Sequence, residues 1–205
     1  MSDVPLQGGV PTAGIQNVNN LAAERSRTGS DYTQQATIAI IWRPTLSSRS
    51  RLLKSVVNGW DIAPLARLHT GAPFSVLNGV DANLDGASGD RAQLIGDPFS
   101  GQRSISQWFN TAAFSQNKAV SGAPVDGNSG PNIINGPTFH NLDLTLARTF
   151  PINDRMKFQF RAEASNAFNI VSLSAPGNTV NTATFGVISS ASAMRQIQLG
   201  AKVTF

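Results

Sequence analysis

The sequence predicts an all-β protein, an antiparallel sheet of about five long strands joined in part by long irregular loops. Three observations predict it. Apolar and polar residues alternate over stretches of about nine to thirteen residues, the period of a strand with one apolar face. Charged residues are only 14% of the 205, against roughly 25% in ordinary soluble domains, and uncharged polar residues fill the difference. Connections alternate in length. "PINDR" joins two strands directly, while about 70 residues separate another pair.

Residues 1–30 are rich in Gly, Asn, Pro and Ser and show no periodicity, so they read as a flexible lead-in or external loop. Residues 31–205 form the sheet-bearing segment. "TQQATIAIIWR" at 33–43 is the first strand, with Ile38, Ile40 and Trp42 on one face, and Pro44 ends it. "TLSSRSRLLKSVV" at 45–57 is a basic connector, read as a solvated turn; the competing reading is a contact with acidic lipid headgroups. The second strand covers about 58–70, with Trp60, Ile62, Ala66 and Leu68 on one face. Pro64 inside it predicts a bulge or an edge, because proline donates no ladder hydrogen bond. Residues 71–138 carry turn chemistry and no long strand, although "SISQWFNTAAF" at 104–114 has room for a short element. "HNLDLTLARTF" at 140–150 is the third strand and "MKFQFRAEASNAF" at 156–168 the fourth. A polar loop over 169–192 precedes the last strand at 193–205.

Alternation alone fits a soluble β-sandwich, whose apolar face meets a second sheet. Strand length favours another solution. The stretches approach the 9–11 residues that cross a bilayer and exceed the soluble mode of about 5–6. The connections also follow the barrel rule of short periplasmic turns and long external loops. With "PINDR" periplasmic, 45–57 is periplasmic too, and 71–138 and 169–192 are external. Trp42, Trp60, Phe150 and Phe205 then fall at periplasmic strand ends, where an aromatic girdle belongs. The expectation is the C-terminal part of an outer-membrane β-barrel, with Ile38, Ile40, Leu142, Leu144, Phe158 and Phe160 against lipid. The alternative is a soluble extracellular β-sandwich, an adhesin or carbohydrate-binding module, in which the same residues meet a second sheet.

Several function classes lose support. The absence of cysteine removes disulfides, zinc–thiolate sites and cysteine nucleophiles. No run of about 18 apolar residues provides a membrane-spanning helix. The first twenty residues do not read as a signal peptide. The net charge of +4 is scattered except at Arg49, Arg51 and Lys54, with no basic helix or aromatic–basic interleaving, so nucleic acid is not an expected partner. His69 and His140 are the only histidines, and no GxSxG elbow appears; catalysis and cofactors are not expected. Arg161 and Glu163 share the polar face of the fourth strand and read as lumen-facing charges pairing with neighbouring strands. "DANLDG" at 81–86 places Asp81, Asn83 and Asp85 at the odd spacing of a calcium loop, with Gly86 at the turn. Position 92, where such a loop closes with Glu, is Ala, leaving Asp90 as the substitute; the competing reading is an ordinary Asx-turn loop.

The segments "NLAAERSRTGSDY", "NGWDIAPLARLHTGAPFSV", "DANLDGASGDRAQLIGDP", "WFNTAAF", "FHNLDLTLARTFPI", "MKFQFRAEASNAFNI" and "RQIQLGAKVTF" occur in this order over residues 20–205. In that order and spacing the chain resembles the C-terminal end of TonB-dependent outer-membrane receptors of the Oar-like group, whose members begin with a carboxypeptidase-regulatory-like domain. It departs at Thr33–Ala36, where the family usually has an Asp followed by an Arg-His pair. The resemblance implies a receptor of about 22 strands with a plug and a TonB-gripped segment, taking up a substrate. No plug or TonB-binding segment is expected in this stretch, which reads as a fragment, a truncated gene or a separately encoded barrel end, unable to insert stably alone. The implied partners are outer-membrane lipid, the remainder of the barrel and its plug, and TonB in the intact receptor. The resemblance also implies an address for the barrel-assembly machinery, carried by Gly200, Val203 and the terminal Phe205; the residue before that glycine is usually polar and here is Leu199.

Overall fold

The computed structural model describes residues 15–87 and 89–205. In chain order the elements are β1 (Gln35–Ala39), α1 (Arg51–Val57), β2 (Trp60–His69), β3 (Pro73–Phe74), β4 (Gln93–Leu94), β5 (Phe114–Ser115), β6 (Ile134–Asn135), β7 (Phe139–Pro151), β8 (Lys157–Ser165) and β9 (Gln196–Thr204). They belong to two compact units interleaved along the chain. One comprises residues 34–69, 139–172 and 192–205; the other comprises residues 15–33, 70–138 and 173–191.

The first unit is an antiparallel five-stranded sheet in the order β1-β2-β7-β8-β9. Its strands are the five that periodicity marks; β7 runs one residue further at each end, and the other four are shorter by one to four residues at their ends. β7 is the longest, at 13 residues. The β7–β8 turn is closed by the Asn153 side chain, whose Oδ1 accepts the amides of Arg155 at 2.9 Å and Met156 at 2.7 Å.

Pro64 is neither at a bulge nor on an edge. β2 has neighbours on both sides, and Pro64 lies opposite Leu144 of β7 in unbroken register. On the other side the β1 pairing runs from Gln35↔His69 to Ala39↔Leu65, and the Trp42↔Ile62 bridge continues the same register. The Ile40 amide donates to the Pro64 carbonyl at 3.1 Å, but the return bond has no donor. The ring therefore costs one rung on the β1 side alone, and the ladder resumes at Trp42, where both bonds with Ile62 form at 2.8 and 2.9 Å.

The connector at 45–57 is not all turn. Ser50 caps α1, its Oγ accepting the Leu53 amide at 3.4 Å, and the Asn58 amide closes the other end on the Lys54 carbonyl at 3.0 Å.

The second unit carries the buried apolar core. Its regular pieces are two-residue ladders, β3 with β6 and β4 with β5, and a single 3-10 turn at Thr111–Ala113. The core collects Phe74, Val76, Ala92, Phe109, Ala113, Phe114, Ile134 and Val180. The Phe109 ring stands edge-on to Phe114 and Phe185 at 5.7 and 5.3 Å, so the 70–138 and 173–191 stretches share one aromatic cluster. The stretch 71–138 thus holds no long strand, as expected, yet it is not structureless.

Residues 15–33 are loop in backbone, but they are tied to this core rather than free. Arg91, 2% exposed, forms a bidentate pair with Glu24 at 2.7 and 2.8 Å, and its Nε donates to the Ser129 carbonyl at 2.8 Å. Gln16 accepts the Arg91 amide at 2.7 Å and donates to the Gly127 carbonyl at 3.1 Å. Gly127 permits this approach, since a Cβ there would lie 1.8 Å from the Arg91 carbonyl oxygen. Residues 1–14, half of the expected flexible lead-in, lie outside the described residues.

Removing one partner of a buried ion pair costs about 3–5 kcal/mol, because the other charge stays behind unpaired. Glu24→Ala should therefore raise cleavage within 70–138 by limited proteolysis on the order of a hundredfold or more, if cleavage follows the opened population. Asp31→Ala, which removes the exposed Arg27–Asp31 pair, should change it little.

Candidate functional site

The register assembles the alternating residues into two chemically distinct faces. One face carries Ala36, Ile38 and Trp42 of the first strand and its extension. Behind them, β2 places Trp60, Ile62, Pro64, Ala66 and Leu68 opposite Arg148, Leu146, Leu144, Leu142 and His140 of β7. The row continues through Phe158, Phe160, Ala162 and Ala164 of β8 to Val203, Ala201, Leu199 and Ile197 of β9. Among these the polar side chains are His140 and Arg148, each near an end of β7. Ile38, Ile40, Trp42, Ile197 and Leu199 are more than half exposed among the described residues. A β-sandwich needs a second sheet there. Among the described residues the other sheets are two-residue ladders, so the sandwich alternative is set aside.

The opposite face is polar. Asp143 of β7 pairs with Arg67 of β2 at 2.8 Å, and Asp61 with Arg43 at 2.5 Å. Arg161 and Glu163 pair with each other along β8, not with neighbouring strands. Lys157, Gln159, Lys202, Thr204 and Gln198 lie on the same face, and Ala63, Leu65 and Ala147 are apolar members of it. The two histidines are split between the faces. His69 stacks on Phe139 at 4.9 Å on the polar side, while His140 lies in the apolar row opposite Leu68.

Aromatic side chains mark the ends of the apolar face where the short connections lie. Trp42 and Trp60 are on that face, and Phe150 is beside Phe158, with ring centroids 6.1 Å apart. The Arg148 guanidinium lies over both Trp60 and Phe150, 5.3 and 4.7 Å from their ring centres. Such a cation at the rim keeps its charge near the polar boundary while its stem covers apolar surface. Phe205 follows β9 and is almost fully exposed.

The 81–90 loop brings its four oxygen-bearing side chains together through its own backbone. Asp90, buried, accepts the amides of Ala82 and Asn83 at 2.6 and 3.0 Å. Asp81 accepts from Asp85 and Gly86 at 3.2 and 2.9 Å, Asn83 from Asp85 at 3.1 Å, and Asp85 from Ala87 at 2.7 Å. These are the bonds of an Asx-turn loop. Among the described residues no three His, Cys, Asp or Glu side chains group as a metal cluster.

The three terminal residues singled out in the sequence occupy one edge. Gly200 lies on the polar face opposite Arg161, and an added Cβ would meet nothing within 4 Å. Val203 is on the apolar face opposite Phe158. Among the described residues β9 pairs with β8 alone, so its outer row of backbone groups has no strand beside it, and the same holds for β1.

A long-stranded antiparallel sheet with one bare apolar face and one charged face is the wall of a membrane barrel in its geometry. The model of the outer membrane beta barrel domain family matches residues 2–198. The chain belongs to this family. Comparison with curated proteins and with solved structures returns no match. Within an outer-membrane β-barrel domain the apolar row is the surface that meets lipid and the charged row lines the interior.

Charge on the lipid side of such a barrel costs about 2–4 kcal/mol near the bilayer midplane. Leu144→Arg should therefore reduce the membrane-assembled fraction by at least an order of magnitude in a urea-extraction assay. Thr145→Arg, one residue away on the polar face, should leave it close to the parent.

Proposed function

We propose that this outer-membrane β-barrel domain is the C-terminal wall of a TonB-dependent receptor, contributing to uptake or binding of a substrate in the intact protein. The observation that carries the reading is the open pair of edges on a membrane-type sheet. The smallest bacterial barrels have eight strands, and an unpaired ladder edge in hydrocarbon leaves several polar groups without partners. β1 and β9 each present such an edge, so the working barrel takes further strands at both. The polar face supports a lumen occupied by a plug. Arg67–Asp143 and Arg161–Glu163 are ion pairs, whereas Lys157 and Lys202 stand on the same face outside any ion pair among the described residues. The barrel-assembly machinery would receive the chain through β9, with Gly200, Val203 and Phe205 as the address. The long 70–138 and 173–191 stretches, which share one core, would be the outward surface that first meets substrate. The resemblance over residues 20–205 supplies the receptor class.

Photo-crosslinking in a Gram-negative outer membrane separates this reading from a bare barrel. A crosslinker replacing Gln159, on the polar face, is expected to capture a plug segment of a TonB-dependent receptor. The same group at Leu144 is expected to capture lipid. A water-filled interior with no protein product from position 159 would contradict the receptor reading and leave the barrel intact.

A further inference from the structure

α1 lies in the β1–β2 connection, at the end of the sheet where the connections are short. Six of its seven residues divide into two stripes. Arg51, Lys54 and Ser55 are spaced i, i+3, i+4, and Leu52, Leu53 and Val56 fall between them on another side. Each of the three apolar residues is more than half exposed. The helix is fixed to the sheet by its backbone. The Trp60 indole N–H donates to the Val56 carbonyl at 2.9 Å, and Arg148 donates to the Ser55 carbonyl. Arg51, Lys54 and Arg148 line one open cavity of about 430 Å³, walled on its apolar side by Phe150. Among the described residues none of these three cations has a carboxylate partner.

Hydrated cations on a solvated turn need no apolar stripe beside them. Here the stripe is present and bare, on a helix whose Val56 carbonyl accepts the indole N–H of Trp60, a member of the apolar row of the sheet. Cationic side chains above an exposed Leu and Val surface are the composition of a helix that lies in a membrane interface. We propose that α1 is such an interfacial helix and that Arg51, Lys54 and Arg148 bind the headgroup phosphate of an anionic phospholipid. By the barrel rule this is the periplasmic leaflet. Leu52, Leu53 and Val56 enter the acyl boundary, so the ligand is a lipid rather than a free anion. The inference rests on the outer-membrane barrel family and not on the receptor reading, which stands if this fails.

The test is vesicle flotation of the full chain with phosphatidylcholine alone, and with phosphatidylcholine containing phosphatidylglycerol. Removing both charges with Arg51→Gln and Lys54→Gln should weaken binding to the anionic vesicles about thirtyfold, near fivefold per cation, and leave the neutral vesicles unchanged. The exchange Arg51→Lys with Lys54→Arg should retain anionic binding. Leu52→Ser with Leu53→Ser should weaken both. Matching far-UV circular dichroism checks that the variants fold. Undiminished anionic binding by the Gln variant, or an equal loss on both vesicle types, would overturn the lipid site. Release by inorganic phosphate at constant ionic strength would overturn the lipid as ligand in favour of a soluble anion.

Discussion

The apolar face of the five-stranded sheet carries Ile38, Ile40, Trp42, Ile197 and Leu199 more than half exposed, and the other features follow from that. In water such a face would be a large exposed hydrophobic patch, a drive to aggregate rather than a stable surface. In a bilayer it is matched by hydrocarbon, and the backbone then becomes the limiting group, because lipid offers it no hydrogen-bond partner. The ladder must therefore be continuous, which is why Pro64 is placed where it removes one rung and no more. The charged residues must lie on the other side or at the rim, as Arg67, Asp143, Arg161 and Glu163 do in one case and Arg148 in the other.

A sheet that spends its apolar side on lipid cannot also use it to hold loops. The long connections solve this with a core of their own, gathered around Phe109, Phe114 and Phe185 and locked by the Arg91–Glu24 pair. At the opposite ends of the strands a seven-residue helix and a tight Asn153 turn are sufficient.

The sheet was legible because its signal is periodic. Strict alternation in "HNLDLTLARTF" and "MKFQFRAEAS" can be satisfied only by two faces, and register follows from the five-residue turn between them. The rest was harder to read for physical reasons. The loop core joins Phe74 and Val76 to Ile134 and Val180, three stretches far apart in sequence with no period running between them. Arg91 and Glu24 are 67 residues apart, and a buried ion pair leaves no local trace. Residues 15–33 look disordered by composition, because the bonds that hold them come from distant groups such as Gln16 to Gly127. α1 escaped because two turns of helix are too short to establish a period against its Ser- and Arg-rich flanks, although Ser50 followed by "RLLKSVV" has the form of a cap and an amphipathic start. In the candidate calcium loop, Asp81, Asn83, Asp85 and Asp90 accept backbone amides of the loop itself, and spacing alone does not distinguish metal ligands from Asx-turn acceptors.

The central claim is that one face of this sheet meets hydrocarbon and the other meets water. Spin labels placed singly at positions 141–147 of β7, in outer membranes carrying the chain, test it most directly through collision with oxygen and with a water-soluble nickel chelate. The account predicts a period of two. Positions 142, 144 and 146 should favour oxygen, and positions 141, 143 and 145 the chelate. Equal access to the chelate along the whole stretch, or loss of the two-residue period, would contradict it.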